Sequence, residues 1–576
     1  MKAKLNEVIY TEFLSFLKHI PIINTIKTYK KGYIKSDLIA SLTVAVIAIP
    51  QSMAYAIIAG VKPVYGLYTA IVSTIFSSLF GSSDHLIGGA TNALSLLVAS
   101  NMKNFMGREN AYEMLFLMTF VVGILQFLFG VMKLGKVINY VSHAVIVGFT
   151  AGAGVIIALG QLSQLLGISL GKDYMSLMTK VYFVIIHINK SNIYALGLGL
   201  LTIAVILICK RINKNLPGSL MGLVLSIIVV MVFSLDKYGV KLTGNIPGKL
   251  PPFRMVNLNM SSTKEIFSGA LAIAIIGLVE SISISKSIAS TSHQKIDANQ
   301  EFLGQGLSNI IASFFQCFPG GGSFTRSAIN YYSGAVTRIS GVLSGVIVAV
   351  ILIFLAPFAQ YIPSASLAGV IMLIAYNMVN KKEMKKVYNI GKTDSLVMWV
   401  TFGATVLMPD LDWAIYMGII ISIILYLKDT STVQVKILVP SQDEEYHFRG
   451  KEIDPVEKRV DILTIQLPGN LYFGSAYDLE NKLDSLVGKA RIFVLRMNAV
   501  STIDVTALDA LKVFIRRVKD SGDDVIVSGV KSGLNHMLLN SNLTDEIGRE
   551  NIFLSEDEIF ASSVRAIERA KKLLES

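Results

Sequence analysis

Two ionisable side chains, and one amide that could contact an ion, lie within long apolar stretches of this sequence. Glu280 is flanked in LVESISIS by apolar residues and small hydroxyls, Arg326 follows three glycines in GGGSFTRSAIN, and Gln51 follows a proline in IAIPQSMAYA. An ionisable side chain is costly in an apolar segment, so it usually faces an internal cavity, an ion path or a partner of opposite charge. These residues therefore predict a buried site that handles an ion.

Glu280 is the residue that we predict to couple two ions. In such surroundings its carboxyl group must either pair with a cation or take up a proton. We expect protonation to neutralise it as an anion is taken up, which gives proton–anion symport. Sodium is the alternative coupling ion, with Ser281, Ser283 and Ser285 as oxygen donors. The structural alternative is a permanent ion pair with Arg326.

Two glycine-rich segments are the predicted walls of the site. They become helical only after their glycines, at Thr91–Ser100 and Ser323–Ala335. If these half-helices meet near the middle of the membrane, their N-termini present free N–H groups and about half a positive charge each. An anion would lie between them, with hydroxyl groups of Ser323 and Thr325 as donors. The alternative is a glycine loop that serves helix packing.

The remaining candidates surround this predicted site. Gln51 can donate and accept hydrogen bonds, and Pro50 beside it interrupts the helix, so Gln51 is a candidate substrate contact. A simple helix kink is the alternative. The full set of predicted substrate-binding residues is Gln51, Tyr55, Thr91, Asn92, Ser323, Phe324, Thr325 and Arg326, in which Tyr55 and Phe324 wall the site.

The composition indicates that these residues are held by membrane-spanning helices. The 576 residues are 52% hydrophobic and only 16% charged, and the mean hydropathy is +0.57. Residues 440–576 contain 18 Lys and Arg against 23 Asp and Glu, so the chain before them keeps 34 basic and 17 acidic residues of the totals of 52 and 40. This basic excess has two explanations, attraction of anions and cytoplasmic loops that obey the positive-inside rule.

About fourteen apolar segments are predicted between Asp37 and Leu427. The clearest run over Leu38–Gly60, Val64–Phe80, Met114–Met132, Val141–Gly160, Ile193–Cys209, Leu220–Phe233, Ile266–Ile288, Phe302–Phe318, Ile339–Leu355, Leu367–Val379, Ser395–Met408 and Ala414–Leu427. The two halves correspond, with IAIPQSMAYA beside IGLVESISIS and GGATNALS beside GGSFTRSA. Seven segments per half would invert the second copy relative to the first, and broken segments in matching places mark a transporter binding site.

The C-terminal part of the sequence predicts a small α/β domain. Strand-like runs at Val460–Leu467, Arg491–Met497 and Asp524–Val530 alternate with helical patterns at Ala476–Val487, Thr506–Asp520 and Glu558–Leu574. The predicted division is an N-terminal cytoplasmic segment 1–36, a transport domain 37–428 with repeats at about 37–235 and 262–428, a linker 429–455 and the α/β domain 456–576.

Several motifs give this sequence a family resemblance. The stretch DLIASLTVAVIAIPQSMAYAIIAGVKPVYGLY from Asp37 resembles the signature of the SulP (SLC26) family of sulfate permeases and anion transporters. GGATNALSLLVA, IGLVESISISKSIA, NQEFLGQGLSNIIASFF and PGGGSFTRSAIN are similar to the family's third, eighth, ninth and tenth segments. The C-terminal module resembles a STAS domain, the usual partner in this family. Ala90 stands where the family commonly has a proline.

The resemblance implies a fold and a function. The fold is a polytopic α-helical membrane protein, with fourteen transmembrane segments in two inverted repeats of seven, core and gate domains, a cytoplasmic STAS domain and often a dimer. Arg326 would hold fixed positive charge near the anion. STIDVTALDAL resembles the STAS segment that carries a phosphorylatable serine in anti-sigma-factor antagonists, and Thr506 occupies that position. The alternative is that Asp504 or Thr506 simply caps a helix.

The expected function is secondary transport of a small anion, sulfate first, with bicarbonate and C4-dicarboxylates as alternatives. Sodium-coupled symport, anion exchange, an uncoupled anion channel and a membrane sensor that signals through the STAS domain remain alternatives. A nucleobase carrier is disfavoured because Arg326 gives a neutral base no reason to bind. We expect a multi-pass protein of the cell inner membrane with a cytoplasmic N-terminus and STAS domain, a cytoplasmic regulator of that domain, and no enzyme activity, cofactor, metal or nucleic-acid partner.

Overall fold

The structure of this protein is a computed structural model. It describes residues 20–103, 105, 107–135, 141–168, 177–213, 216–244, 247–408, 410–440, 448–452, 459–467, 469–556 and 561–575. The chain forms two compact units, Met1–Ser422 and Ile423–Ser576. Of the predicted N-terminal segment 1–36, residues 1–19 lie outside the described part of the chain.

Helices make up almost all of the first unit. They are α1 Pro21–Thr28, α2 Tyr33–Ile58, α3 Pro63–Phe80, α4 Asn92–Met102, α5 Ala111–Val131, α6 His143–Gly160, α7 Leu162–Leu165, α8 Leu177–Ile186, α9 Ile193–Ile212, α10 Gly218–Phe233, α11 Met260–Ser292, α12 Ala298–Phe314, α13 Phe324–Tyr332, α14 Ile339–Ala359, α15 Ser364–Met378, α16 Lys381–Ile390, α17 Lys392–Leu407 and α18 Leu411–Ser431. Helix α18 ends in the second unit.

The helices match the length of a bilayer. Among the described residues, seven are long and apolar enough to span one: α2, α3, α5, α9, α11, α18 and the stretch His143–Leu165. Shorter apolar helices run over Gly218–Phe233 and Ile339–Phe354. With α12, α15, α17 and the short α4 and α13, the described chain has fourteen segments, seven before the loop that leads to α11 and seven after it.

Helix packing follows the inverted repeat. Helix α2 packs on α14 as its counterpart α11 packs on α5, and α13 packs on α2 as α4 packs on α11. In the same way α6 packs on α17 while α9 packs on α15. One group of helices, α2 to α5 with α11 to α14, surrounds the two short helices, and α6, α9, α10, α15 and α17 form a second group. An odd number of segments per repeat produces this inversion.

The second unit contains a six-stranded sheet. Its strands are β3 Lys436–Pro440, β4 Phe448–Glu452, β5 Val460–Gln466, β7 Ala490–Arg496, β9 Asp524–Val530 and β10 Ile552–Leu554, in the order β10-β9-β7-β5-β3-β4. Strands β5, β7, β9 and β10 are parallel, and β3 is antiparallel to both of its neighbours. Short strands β6 Asn470–Leu471 and β8 Thr502–Ile503 pair separately.

Helices cover both faces of this sheet. They are α19 Phe473–Asp484, α20 Val505–Asp520, α21 Ser532–Asn540, α22 Leu543–Ile547 and α23 Ala561–Glu575. Side chains from α19 to α22 share one apolar core with one face of the strands, while α23 packs on the other face. The two faces are distinct because neighbouring residues of a strand point to opposite sides.

The prediction of a linker over 429–455 is wrong in part. Residues 436–440 and 448–452 form strands β3 and β4 of the sheet, and the segments 441–447 and 453–458 lie outside the described residues. Sequence reasoning missed the pair because its strands are short and β4, FRGKE, is polar, and because β3 pairs with the distant β5 as well as with β4.

Candidate functional site

A short glycine ribbon lies at the centre of the first unit. Strand β1, Gly88–Gly89, pairs antiparallel with β2, Gly321–Gly322, so that Gly88 lies opposite Gly322 and Gly89 opposite Gly321. Directly after the ribbon, each chain enters a short helix, α4 or α13. The ribbon therefore brings the N-termini of the two half-helices together, as the sequence predicts, and their free N–H groups and positive dipole ends favour an anion.

Both half-helices differ slightly from their predicted bounds. Helix α4 runs from Asn92 to Met102 rather than over Thr91–Ser100, and Thr91 is its N-cap. Helix α13 runs from Phe324 to Tyr332 and ends before the predicted Ala335. The chain turns at Gly334, which has a φ of +93° that glycine adopts without strain.

Hydroxyl groups of neighbouring helices hold the ribbon in place. Ser281 in α11 accepts a hydrogen bond from the amide of Gly322 at 2.9 Å and donates one to the carbonyl of Gly277 at 2.7 Å. Ser327 in α13 accepts from the amide of Ile87 at 2.8 Å. Thr74 in α3 donates to the carbonyl of Gly88 at 2.7 Å. These contacts fix both helix entrances, because a buried backbone group without a partner would be costly.

Arg326 lies on the first turn of α13 and is completely buried. Its Nη2 donates to the carbonyl of Ala90 at 2.6 Å, at the entrance of the opposite half-helix. Its Nε and Nη1 are buried and have no hydrogen-bond partner among the described residues. A buried guanidinium with two unpaired nitrogens and, within the described residues, no carboxylate partner is expensive, so it is a strong candidate for contact with an anion.

Gly89 allows the guanidinium to take this position. A Cβ atom at Gly89 would lie 2.9 Å from Nη1 and 3.1 Å from Nη2 of Arg326, and the φ of Gly89 is +128°. Both the close contact and this backbone angle exclude ordinary side chains. Sequence reasoning treated this glycine only as part of a loop, because its contact with Arg326 joins residues 237 positions apart.

Glu280 is partly buried on α11 and faces the entrance of α4. Its Oε2 accepts a hydrogen bond from the hydroxyl of Thr91 at 3.3 Å. No ion pair within 4.0 Å joins Glu280 to Arg326 in the described part of the chain, so the alternative of a permanent pair between them is wrong for this conformation. The carboxyl group therefore lies near the site, and within the described residues it forms no ion pair.

The serine residues proposed as sodium donors do not form one site. Ser281 is completely buried and its hydroxyl is already engaged with Gly277 and Gly322, whereas Ser283 is exposed. Residues two positions apart on a helix point in different directions, so Ser281 and Ser283 cannot ligate one ion. The hydroxyl of Ser285 is buried without a hydrogen-bond partner among the described residues.

Gln51 and Tyr55 lie one helical turn apart on α2, which packs on both half-helices. Tyr55 is buried and close enough to Arg326 and Glu280 to interact electrostatically with both. The side-chain oxygen of Gln51 is buried and, within the described residues, has no hydrogen-bond partner. Pro50 lies inside α2 without ending it. The structure thus places a phenol and an unsatisfied amide on the side of the repeat-one helix that we predict to contact substrate.

The remaining predicted substrate-binding residues lie at the entrances of the two half-helices. Ser323 is buried, while Phe324 and Thr325 are exposed, with Phe324 at 60%, so neither of these two encloses a pocket in this conformation. The side-chain oxygen of Asn92 accepts from the amide of Ala93 at 2.9 Å. Thr91 accepts from the amide of Leu94 and donates to Glu280, so its hydroxyl links the helix end to the carboxyl group.

In the second unit, Asp504 is the residue that caps α20. Its Oδ1 accepts from the amide of Ala507 at 2.9 Å and its Oδ2 from the amide of Phe473 at 2.6 Å. Thr506 is exposed on the first turn of the helix. The capping alternative is therefore correct for Asp504, and Thr506 is accessible for modification.

Comparison with known proteins matches both units to families. Residues 34–401 match the model of the sulfate permease family, and residues 455–559 match the STAS domain. The chain is 32% identical over 539 residues to "Putative sulfate transporter YvdB" of Bacillus subtilis, covering 92% of this chain and 98% of that one. It is 29% identical to "Sulfate transporter 2.1" of Arabidopsis thaliana, over 93% of this chain and 84% of the relative.

Solved structures share the fold. The murine SLC26A9 anion transporter in its inward-facing state superimposes with a TM-score of 0.86 at 19% identity, covering 96% of this chain and 94% of that one. The transmembrane domain of the cyanobacterial bicarbonate transporter BicA superimposes with a TM-score of 0.61 at 23% identity, over 66% of this chain and 98% of that domain. The chain therefore belongs to the sulfate permease (SulP/SLC26) family and is a multi-pass membrane anion transporter with a C-terminal STAS domain.

Proposed function

We propose that this protein takes up a small oxyanion, sulfate in the first instance, together with a proton by alternating access. The observation that carries the proposal is the buried guanidinium of Arg326, which has two unpaired nitrogens beside two helix N-termini. Fixed N–H donors and positive dipole ends recognise charge and size. The names of the relatives from Bacillus and Arabidopsis support sulfate as the first substrate to test.

Proton coupling rests on the surroundings of Glu280. Its only recorded hydrogen bond among the described residues comes from Thr91, and neither Ser281 nor Ser283 is placed to add oxygen ligands beside it. A hard cation needs several oxygen ligands at once, whereas a proton needs only the carboxylate. A carboxylate in a membrane span without a cation is stabilised by taking up a proton, so protonation is the simpler way to neutralise Glu280.

The proposed orientation is based on the charge distribution. The basic excess before residue 440 is typical of loops on the cytoplasmic side. We propose a cell inner membrane location with the N-terminus and the STAS domain in the cytoplasm, where an exposed Thr506 would be accessible to a kinase or a regulatory protein. A phosphate at this helix N-terminus would be electrostatically tolerated.

The decisive experiment measures radiolabelled sulfate uptake into proteoliposomes under an imposed pH gradient, with and without sodium. Wild-type protein should respond to the pH gradient and ignore sodium. Glu280→Gln keeps a hydrogen-bond acceptor for Thr91 but cannot take up a proton, so its uptake should lose the response to the gradient. Ser283→Ala, at an exposed position on the same helix, is the matched control and should transport as the wild type does.

Other outcomes identify other functions. Uptake that follows a sodium gradient alone, or full gradient-driven uptake by Glu280→Gln, would refute proton coupling through this carboxylate. Competition by bicarbonate, succinate or chloride would identify the substrate class. An electrical current that carries far more ions per protein than the turnover rate of a transporter allows would indicate a channel. Transport in liposomes by purified protein that lacks the residues beyond Pro440 would argue against a membrane sensor that signals through its STAS domain.

A further inference from the structure

The second unit carries an exposed aromatic tip next to the end of the last membrane helix. We define the tip as Phe473, Tyr477 and Val505, whose exposed fractions are 64%, 76% and 73%. The amide of Phe473 donates to Asp504, which directly precedes Val505, so the starts of α19 and α20 are held side by side. Phe473 and Tyr477 are one turn apart and lie on the same face of α19. Large apolar side chains this exposed and this close together mark an interaction surface.

The tip is fixed close to the C-terminal turn of α18. The hydroxyl of Tyr472 donates to the carbonyl of Leu427 at 3.2 Å and lies 2.7 Å from the hydroxyl of Thr430. The ring of Tyr472 contacts that of Phe473, with centroids 5.4 Å apart. Gly474 leaves room for this arrangement, since a Cβ there would lie 2.7 Å from Cε2 of Tyr472. The tip therefore begins one residue from a side chain that is bonded to the helix end.

Further hydrogen bonds fix the chain that leaves α18 against α19. The amide of Val433 donates to Asp478 at 2.6 Å, and Nζ of Lys482 donates to the carbonyl of Val433 at 2.5 Å. All of these residues belong to the compact unit Ile423–Ser576. The distance between the tip and the end of α18 is thus set by folded structure rather than by a flexible connection.

The end of α18 also locates the membrane surface. The apolar run of the helix, Trp413 to Leu427, lies between Asp412 and the charged pair Lys428 and Asp429. Its fifteen residues at about 1.5 Å each span roughly 22 Å of a hydrocarbon thickness of about 30 Å. The carbonyl of Leu427, and with it the hydroxyl of Tyr472, therefore lies near the boundary of the headgroups. Tyr426 on the same turn is 60% exposed, as expected for a ring at this level.

We infer that the aromatic tip of the STAS domain inserts into the headgroup region of the bilayer beside α18. Aromatic side chains are enriched at this level of membranes because one end of the ring system is apolar and the other polar. The residues of the tip itself carry no charge, so the contact depends on apolar burial rather than on anionic lipid. It should persist at high ionic strength, which screens attraction between charges.

The test uses the full-length protein in nanodiscs of phosphatidylethanolamine and phosphatidylglycerol. Cysteine is introduced singly at Phe473, Tyr477 or Val505 and carries a nitroxide spin label; native Cys209 and Cys317 are buried, and protein without an added cysteine gives the blank. Accessibility to oxygen, which concentrates in the bilayer, is compared with accessibility to a water-soluble nickel chelate. Lys571→Cys on α23, an exposed position on the opposite face of the sheet, is the matched control.

At the tip, oxygen accessibility should exceed nickel accessibility, and the order should reverse at position 571. The result should be unchanged in molar salt. Equal water exposure at the tip and at 571 would overturn the inference. Dipolar broadening between labels on two chains would overturn it as well, since the occupant would then be a second copy. Three independent label sites keep the test valid if one variant fails to fold.

Discussion

Arg326 and Arg338 offer a direct test of whether an unsatisfied buried cation serves transport. Both side chains are buried, at 0% and 6% exposure. Arg338 donates from Nε to Asp84 at 2.9 Å, from Nη1 to the carbonyl of Gly81 at 2.5 Å and from Nη2 to that of Ser82 at 3.1 Å. Arg326 has one such contact and two unpaired nitrogens. We therefore expect the same substitution to have opposite consequences at the two positions.

Replacement of Arg326 by Gln should strongly reduce sulfate uptake without loss of stability. If the bound anion accepts hydrogen bonds from Nε and Nη1, each bond to a charged group contributes about 1.5 to 3 kcal/mol, or roughly 3 to 6 kcal/mol for the two. Since about 1.4 kcal/mol corresponds to a factor of ten, sulfate uptake at low substrate concentration should fall about 100-fold to 10,000-fold. The melting temperature without substrate should stay constant or rise, because a buried unpaired charge is removed.

Replacement of Arg338 by Gln should mainly destabilise the fold. It breaks an ion pair with the partly buried Asp84 and removes the donor of the Gly81 carbonyl, whereas the carbonyl of Ser82 keeps its bond from Gln294. The unsatisfied Gly81 carbonyl alone costs about 1 to 3 kcal/mol. Uptake and thermal unfolding of both variants in detergent, with and without sulfate, provide the comparison. Arg326→Gln with near-normal uptake, or with a melting temperature lowered as far as that of Arg338→Gln, would refute the reasoning.

Three further predictions use other contacts. Gly89→Ala should lower sulfate affinity at least tenfold in uptake assays, because the added Cβ lies 2.9 Å from Nη1 of Arg326, and normal affinity would contradict this placement. Ser281→Ala removes the acceptor for an amide of the glycine ribbon and should cost about 1 to 3 kcal/mol of stability in thermal unfolding, with no change in sodium dependence. Arg516 beside Glu546 holds the pKa of that carboxyl below its ordinary value. The ion pair therefore stabilises the STAS domain at pH values above the ordinary glutamate pKa of about 4.3. This stabilisation is lost as the pH falls through the pKa that Glu546 has in the folded protein. Hydrogen exchange should therefore reveal weaker protection in Arg516→Ala at neutral pH, and the difference from the wild type should shrink as the pH falls below the ordinary glutamate value. A difference that does not change with pH would contradict the assignment.

Much of the site could be predicted because its residue types are restricted by burial. Glycines that precede a helix in two matching segments indicate non-helical backbone within the membrane. The structure pairs Gly88–Gly89 with Gly321–Gly322 there. A lone arginine after the second of these indicated an ion contact. Local composition is sufficient here for two reasons. Glycine adopts φ values such as +128° that other residues rarely adopt, and a charged side chain in an apolar segment usually has a functional partner.

The contacts that determine chemical roles could not be predicted in this way. The hydrogen bond of Thr91 to Glu280 joins residues 189 positions apart, and that of Ser327 to Ile87 joins residues 240 apart. Serine and threonine are common in membrane helices, where they frequently bond to the preceding turn. Nothing in the local sequence distinguishes Ser281, which holds the ribbon, from Ser283, which is exposed.

The antiparallel ribbon between Gly88–Gly89 and Gly321–Gly322 also limits how access to the site can alternate. Backbone hydrogen bonds of this ribbon join the two repeats, and hydroxyl groups from three helices make further hydrogen bonds to it. The two half-helices cannot separate without breaking buried hydrogen bonds, so we expect them to move together with the bound anion. We therefore expect access to alternate by movement of both half-helices, together with the helices bonded to them, relative to the second group of helices, rather than by separation of the two half-helices.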